Sequence, residues 1–264
     1  MEMHKQTFTS SNAWIAYFNK NTQTATAARK TFPDCSELSD LLRSVVAGSL
    51  PAWQLGETSD GRHLRAAARQ YAEAQGDPDF VRAVELFIGE EQRHGAALGE
   101  WLDLAGIPRK SRDLGDSLFR FCRYTIPNYA VWASVVVMVE SMAQIYYAAV
   151  RRLSPCPRLK SECKLILCDE VKHIQFQCEH LAAARRRVSP LLRLVLTAIE
   201  APFYAVVCTA VWIAHGRLLR AADIPLGRFR KMAIQKFCVV QAMMDPERYD
   251  FGEAPKGAIA PVKA

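Results

Sequence analysis

The sequence predicts an all-α protein: a four-helix bundle with one long crossover and additional C-terminal helices. Three observations carry this. Apolar residues recur at helical spacing over long segments, Gly and Pro punctuation separates those segments cleanly, and alternating strand patterns are scarce. Residues 1–45 read as an N-terminal extension. Its first part, Met1 to Arg29, is polar and lacks the apolar centre of a secretory signal. The bundle is expected over residues 46–187. Its first helix precedes the turn Gln75-Gly76-Asp77-Pro78. The second starts at Asp77-Pro78, ends at Gly106-Ile107-Pro108, and carries an apolar stripe through Val84, Phe87, Ile88, Leu98, Trp101 and Leu102. The third spans Tyr129 to Val150, where Glu140 is the only charge, and Ser154-Pro155-Cys156-Pro157 separates it from the fourth. Ser189-Pro190 opens a helical extension, residues 188–250. The tail, 251–264, rich in Gly, Pro, Ala and Lys, is expected to be disordered.

Two copies of Glu-x-x-His stand out, Glu91-Gln-Arg-His94 and Glu170-Val-Lys-His173. On a helix, residues three apart share a face, so each pair can offer an oxygen and a nitrogen to one ion. One copy alone is usually a solvated pair. Here, however, Glu91 and His94 fall inside the apolar stripe, beside the small Gly95, whereas Glu90 falls outside it. Glu170 and His173 are flanked likewise by Ile166, Leu167, Ile174, Gln177 and Leu181. Glu140 lies 14 residues before Ser154 and Glu170 lies 13 after Pro157, so in an antiparallel hairpin the two meet at one height. The first hairpin is less symmetric. Glu91 is 13 residues from its turn, Glu57 is 18 and Asp60 is 15, which leaves both acids as candidates for the first helix. The 49 residues between Glu91 and Glu140 leave room for the crossover.

Converging buried carboxylates are unstable unless they take protons or bind cations. Two divalent ions would neutralise four glutamates. Imidazole and carboxylate donors suit iron, with manganese or a mixed iron and manganese pair as alternatives.

The order Glu, Glu-x-x-His, Glu, Glu-x-x-His resembles that of the ferritin-like di-iron carboxylate proteins. The stretch Trp53-Gln54-Leu55-Gly56-Glu57, followed by Asp60-Gly61-Arg62-His63-Leu64, is similar to an uncharacterised bacterial group of them in which the glutamate after Gln-Leu-Gly is the first ligand. The resemblance therefore favours Glu57 over Asp60 and implies the ligand set Glu57, Glu91, His94, Glu140, Glu170 and His173, holding two iron ions. Asp169 is a candidate to orient a ligand imidazole; its plain alternative is a surface residue. Tyr147, seven residues after Glu140, shares its face, but an aromatic there most often packs in the core. The reductase small subunits in this superfamily usually carry a tyrosine four residues after the first motif histidine. Leu98 stands there instead, which argues against a tyrosyl radical. Trp53, one turn before Glu57, either walls a substrate pocket or packs.

Half of the residues are apolar, enough for a sizeable core, and no Gly-rich nucleotide motif is present. The eight cysteines form no Cys-x-x-Cys pair, which excludes a rubredoxin-like centre. Cys122, Cys178 and Cys208 sit in apolar surroundings suited to reduced thiols, as expected of a cytoplasmic protein. The net charge of +7 comes without a nucleic-acid reading element, so nucleic acid is not an expected partner. Leu194 to Ala214 carries Glu200 as its only charge and is long enough to cross a bilayer. Glu200 and Pro202 argue against crossing, which favours a helix covering the bundle or a homodimer interface. Shallow insertion, giving peripheral membrane association, is the alternative. The basic residues around it, Arg185 to Arg187 and Arg217 to Lys231, suit solvated helix ends, anionic lipid or an acidic carrier protein.

The leading functional expectation is a di-iron oxidoreductase that uses dioxygen and an electron donor to oxidise a small apolar substrate. The alternatives are a ferritin-like iron-binding or iron-oxidising protein without an organic substrate, and a metal-free helical interaction protein.

Overall fold

The computed structural model describes residues 5–33, 37–113 and 128–252. Among them are nine α-helices: α1 (Ser11–Arg29), α2 (Asp40–Ala47), α3 (Leu50–Glu57), α4 (Arg62–Gln75), α5 (Asp79–Leu104), α6 (Tyr129–Leu153), α7 (Pro157–Arg185), α8 (Pro190–Ala221) and α9 (Leu226–Met243). Two short strands, β1 (Gln6–Thr7) and β2 (Tyr249–Asp250), pair in parallel and tie the two ends of the described chain together. The bundle consists of α5, α6, α7 and a first helix broken into α3 and α4. The all-α, ferritin-like architecture is thus the observed one. Residues 114–127 of the crossover, which include Cys122, and residues 253–264 of the tail lie outside the described residues.

Helix boundaries follow local chemistry. Ser10, Asn128 and Ser189 cap α1, α6 and α8 by accepting backbone N–H groups with their side-chain oxygens, and Pro157 and Pro190 occupy first turns, where a missing N–H costs nothing. The break between α3 and α4 turns at Gly61, whose φ is +67°. A Cβ there would also lie 2.6 Å from Ile88 Cδ1, so only glycine fits. Residues 58–61 add chain without helical rise, which explains how Glu57 reaches the height of Glu91 despite its longer arm.

Along each long helix the core is divided in two. One apolar half gathers Leu98, Trp101 and Leu102 of α5, Met142 and Tyr146 of α6, and Cys163 and Ile166 of α7. The other gathers Phe80, Val84 and Phe87 of α5, Trp132 and Val136 of α6, and Ile174, Phe176 and Leu181 of α7. Between them lie residues 91–94, 140 and 170–173.

The N-terminal extension is more than an appendage. Its helix α1 packs on α5 and α7 and inserts Trp14 and Phe18 into the second apolar half. It also covers Glu90. Helix α5 is covered on two sides, by the bundle and by α1, so Glu90 is fully buried although it lies off the apolar stripe. The apolar segment also departs from a simple cover. Helix α8 packs one face on α6, yet only 6% of its most apolar window is buried, against 72% for α6. Cys163, Cys168, Cys178, Cys208 and Cys238 are free thiols.

His180 is buried among aromatic rings, 4.4 Å from that of Phe80, and its Nε2 has no partner. Burial lowers its pKa to about 3. The unfolded chain takes up this proton near pH 6.5, so the stability of the folded form is full above that pH and declines between about 6.5 and 3. Chemical denaturation of metal-free His180→Phe at several pH values should show a shallower decline than the wild-type protein over this window.

Candidate metal centre

The structure brings Glu57, Glu91, His94 and Glu170 into one group and Glu91, Glu140 and His173 into another. In each group one donor atom per residue lies within 4.8 Å of the others. Glu91 is common to both. The six residues proposed from the sequence therefore converge. Asp60 does not join them: its carboxylate is half exposed and accepts from Arg62 N at 3.0 Å and Arg62 Nε at 2.5 Å, which supports the start of α4.

Close approach of α3 to α5 depends on Gly95. A Cβ at this position would meet Thr58 Cγ2 at 2.9 Å and the backbone carbon and Cβ of Glu57 at 3.2 Å. Gln54 Nε2 fastens the same contact by donating to Gly95 O at 3.0 Å. The space that glycine leaves beside His94 is thus filled by the helix end that delivers Glu57.

Each imidazole is held from behind by the other motif. His94 Nε2 donates to Asp169 Oδ2 at 2.9 Å, and His173 Nε2 donates to Glu90 Oε2 at 2.9 Å. Both Nδ1 atoms then face the cluster. The two supporting carboxylates are themselves joined, because Asn21 Nδ2 on α1 donates to Glu90 Oε1 and to Asp169 Oδ1, each at 2.8 Å, and Arg93 pairs with Glu90 at 3.1 Å. Among the glutamates, Glu57 accepts from Tyr147 Oη at 2.5 Å and Glu140 from Gln177 Nε2 at 2.6 Å. Asp169 thus occupies the orienting position and not a surface one. Glu90 is its counterpart, overlooked in the sequence although an acid precedes both motifs. Asn21 left no signal there, since nothing in a polar N-terminal helix singles out one asparagine.

The residues fit a pair of ions. Glu91 Oε1, His94 Nδ1, Glu140 Oε2, Glu170 Oε2 and His173 Nδ1 are all buried and make no hydrogen bond. His173 Nδ1 and Glu91 Oε1 lie 2.7 Å apart as an ion pair. Buried polar atoms rarely stay unpaired, and here their unpaired lone pairs converge. Without cations the charges are strained. Burial, then the charge of Glu91, raises Glu140 to about 8, and the same causes push Glu57 and Glu170 well above the usual range. Burial acts to raise Glu91 too, but His173 and His94 outweigh it and bring it to about 2. Burial would lower His173, yet Glu91 and Glu90 raise it well above its ordinary value. For Tyr147, burial and then Glu57 raise the phenol, which therefore stays a donor.

Fold and site together define a ferritin-like helical protein with a carboxylate and histidine cluster able to hold two metal ions. Solved R2-like ligand-binding oxidases share the fold. A mutant with an aerobically reconstituted Mn/Fe cofactor superposes with a TM-score of 0.64 at 13% identity, covering 88% of this chain and 94% of that one. Another mutant, with an Fe/Fe cofactor, gives 0.61 at 14% identity, covering 88% and 93%. No family model and no curated protein matches the sequence.

Two outcomes test the centre. Removing a carboxylate behind an imidazole, in Asp169→Ala or Glu90→Ala, should weaken manganese(II) affinity about 10- to 100-fold in calorimetric titration, as outer-shell partners of metal ligands generally do. Metal entry must also displace protons from Glu140 and its neighbours. Titrations in buffers of different ionisation enthalpy should therefore show proton release, with affinity rising from pH 6 to 8 as Glu140 approaches its value of about 8.

Proposed function

We propose that this protein is an oxidoreductase with a di-iron or mixed manganese and iron centre, acting on an apolar organic substrate with dioxygen and an electron donor. The observation that carries the reading is the set of five buried donor atoms converging at Glu91, of which His94 Nδ1, Glu140 Oε2 and Glu170 Oε2 make no hydrogen bond and His173 Nδ1 and Glu91 Oε1 face each other at 2.7 Å, with both imidazoles aimed from behind by carboxylates. The fold shared with oxidases, along 88% of this chain, supports it.

Glu57, Glu91, His94, Glu140, Glu170 and His173 would hold the metals. Bound there, they would supply the electrons that reduce dioxygen. The protein's own residues perform the supporting tasks. Asp169 and Glu90 keep each Nε2 protonated and each Nδ1 turned inward, while Asn21 prevents those two carboxylates from swinging away. Tyr147 and Gln177 donate to Glu57 and Glu140, so each of these glutamates keeps one oxygen tethered to the protein. Trp53 stacks on Tyr146, ring centroids 4.2 Å apart, and meets Tyr147, the donor to Glu57, edge-on at 6.1 Å.

A second reading is iron oxidation without an organic substrate, which the same cluster of carboxylates and imidazoles would support.

Protein prepared without oxygen and supplied with ferrous iron should bind about two ions per chain, and Glu140→Ala about one or fewer. Oxygen uptake with an electron donor should then rise when an apolar substrate is added. Uptake set by ferrous iron alone would select the second reading, and metal content unaffected by Glu140→Ala would remove both.

A further inference from the structure

Helix α8 carries a surface that the metal centre does not explain. From Leu191 to Ile213, roughly 34 Å of helix at 1.5 Å per residue, its outward side shows no charge. Leu191, Leu194, Ile199, Val206 and Ile213 are each more than 60% exposed, and the residues exposed between them include several alanines and Pro202. A contiguous apolar strip of this size marks a site of interaction.

The opposite side of α8 is fixed. Arg185 Nη2 reaches both carboxylate oxygens of Glu200 at 2.6 Å, and Gln241 Nε2 donates to Glu200 Oε2 at 2.7 Å. Tyr204 Oη donates to Ala233 O at 3.1 Å, and Leu218 and Leu219 are fully buried. Crossing a bilayer would strip α8 from these partners and leave a buried charge unpaired, whereas lying flat on a bilayer costs none of them.

Charge selects the occupant. Arg186 and Arg187 are exposed before the strip, and Arg217, Arg220, Arg228 and Lys231 after it. The acid among them, Asp223, is paired with Arg152 at 2.6 Å. A second copy packed on this strip in either direction would bring cationic ends against cationic ends. An anionic lipid surface satisfies both features, with the apolar strip entering the acyl boundary and the arginines facing headgroups. We propose that α8 docks the protein on anionic membranes as an interfacial helix that does not span.

The test is co-sedimentation of the full-length protein with vesicles of phosphatidylglycerol and phosphatidylcholine in equal parts, and with phosphatidylcholine alone. The anionic vesicles should bind it, less so at high salt. The variant Ile199→Glu/Val206→Glu/Ile213→Glu should bind at least about tenfold more weakly while keeping the wild-type circular dichroism. Arg228→Glu/Arg230→Glu/Lys231→Glu, altered only at exposed positions, should lose the preference for anionic vesicles and carries the test if the first variant misfolds. Failure to bind anionic vesicles overturns the proposal. So does binding that neither variant reduces. Light scattering that shows a stable dimer split by the first variant, with no vesicle binding, would assign the strip to a second copy instead.

Discussion

Everything in the bundle answers to one electrostatic constraint: several carboxylates and two imidazoles are held in a single layer between two apolar halves of one core. Apart from the partly exposed Glu91, they are buried away from water, so each must be protonated, hydrogen-bonded or bound to a cation. The structure uses the second means as far as it goes. Tyr147 serves Glu57, Gln177 serves Glu140, Asp169 serves His94 and Glu90 serves His173. What remains points to one place, where protons on the raised carboxyls serve in the metal-free protein and cations would replace them.

The supporting layer follows from the pairing of the motifs. Because α5 and α7 lie side by side, the acid before each Glu-x-x-His stands behind the histidine of the opposite motif and not its own. Asn21 then joins the two acids across the junction. The two imidazoles thus belong to one hydrogen-bonded network that neither helix could provide alone. The role of α1 is equally physical: its burial of Trp14 and Phe18 holds Asn21 in position and covers Glu90.

The first bundle helix shows how backbone and site depend on each other. An unbroken helix would have placed Glu57 above the level of Glu91. The interruption at residues 58–61 consumes the surplus, with Gly61 making the turn and Gly95 allowing α3 to approach. Both glycines sacrifice side-chain packing for close contact, a trade found where backbone must approach a functional group.

The amino-acid sequence by itself determined the helical class, the punctuation of α5 to α8 and five donor residues, Glu91, His94, Glu140, Glu170 and His173, because helical periodicity and the equal arms of the second hairpin are local or nearly local properties. It also singled out Asp169, since an acid beside a ligand motif is visible in one dimension. Tertiary structure alone decided between Glu57 and Asp60 on geometric grounds, because the answer depends on a backbone break whose effect on height no residue count reveals. It likewise buried Glu90, recruited Asn21 and left one side of α8 uncovered. Each of these depends on which surfaces meet after the chain has folded, and periodicity along one helix carries no information about the helix that will lie across it.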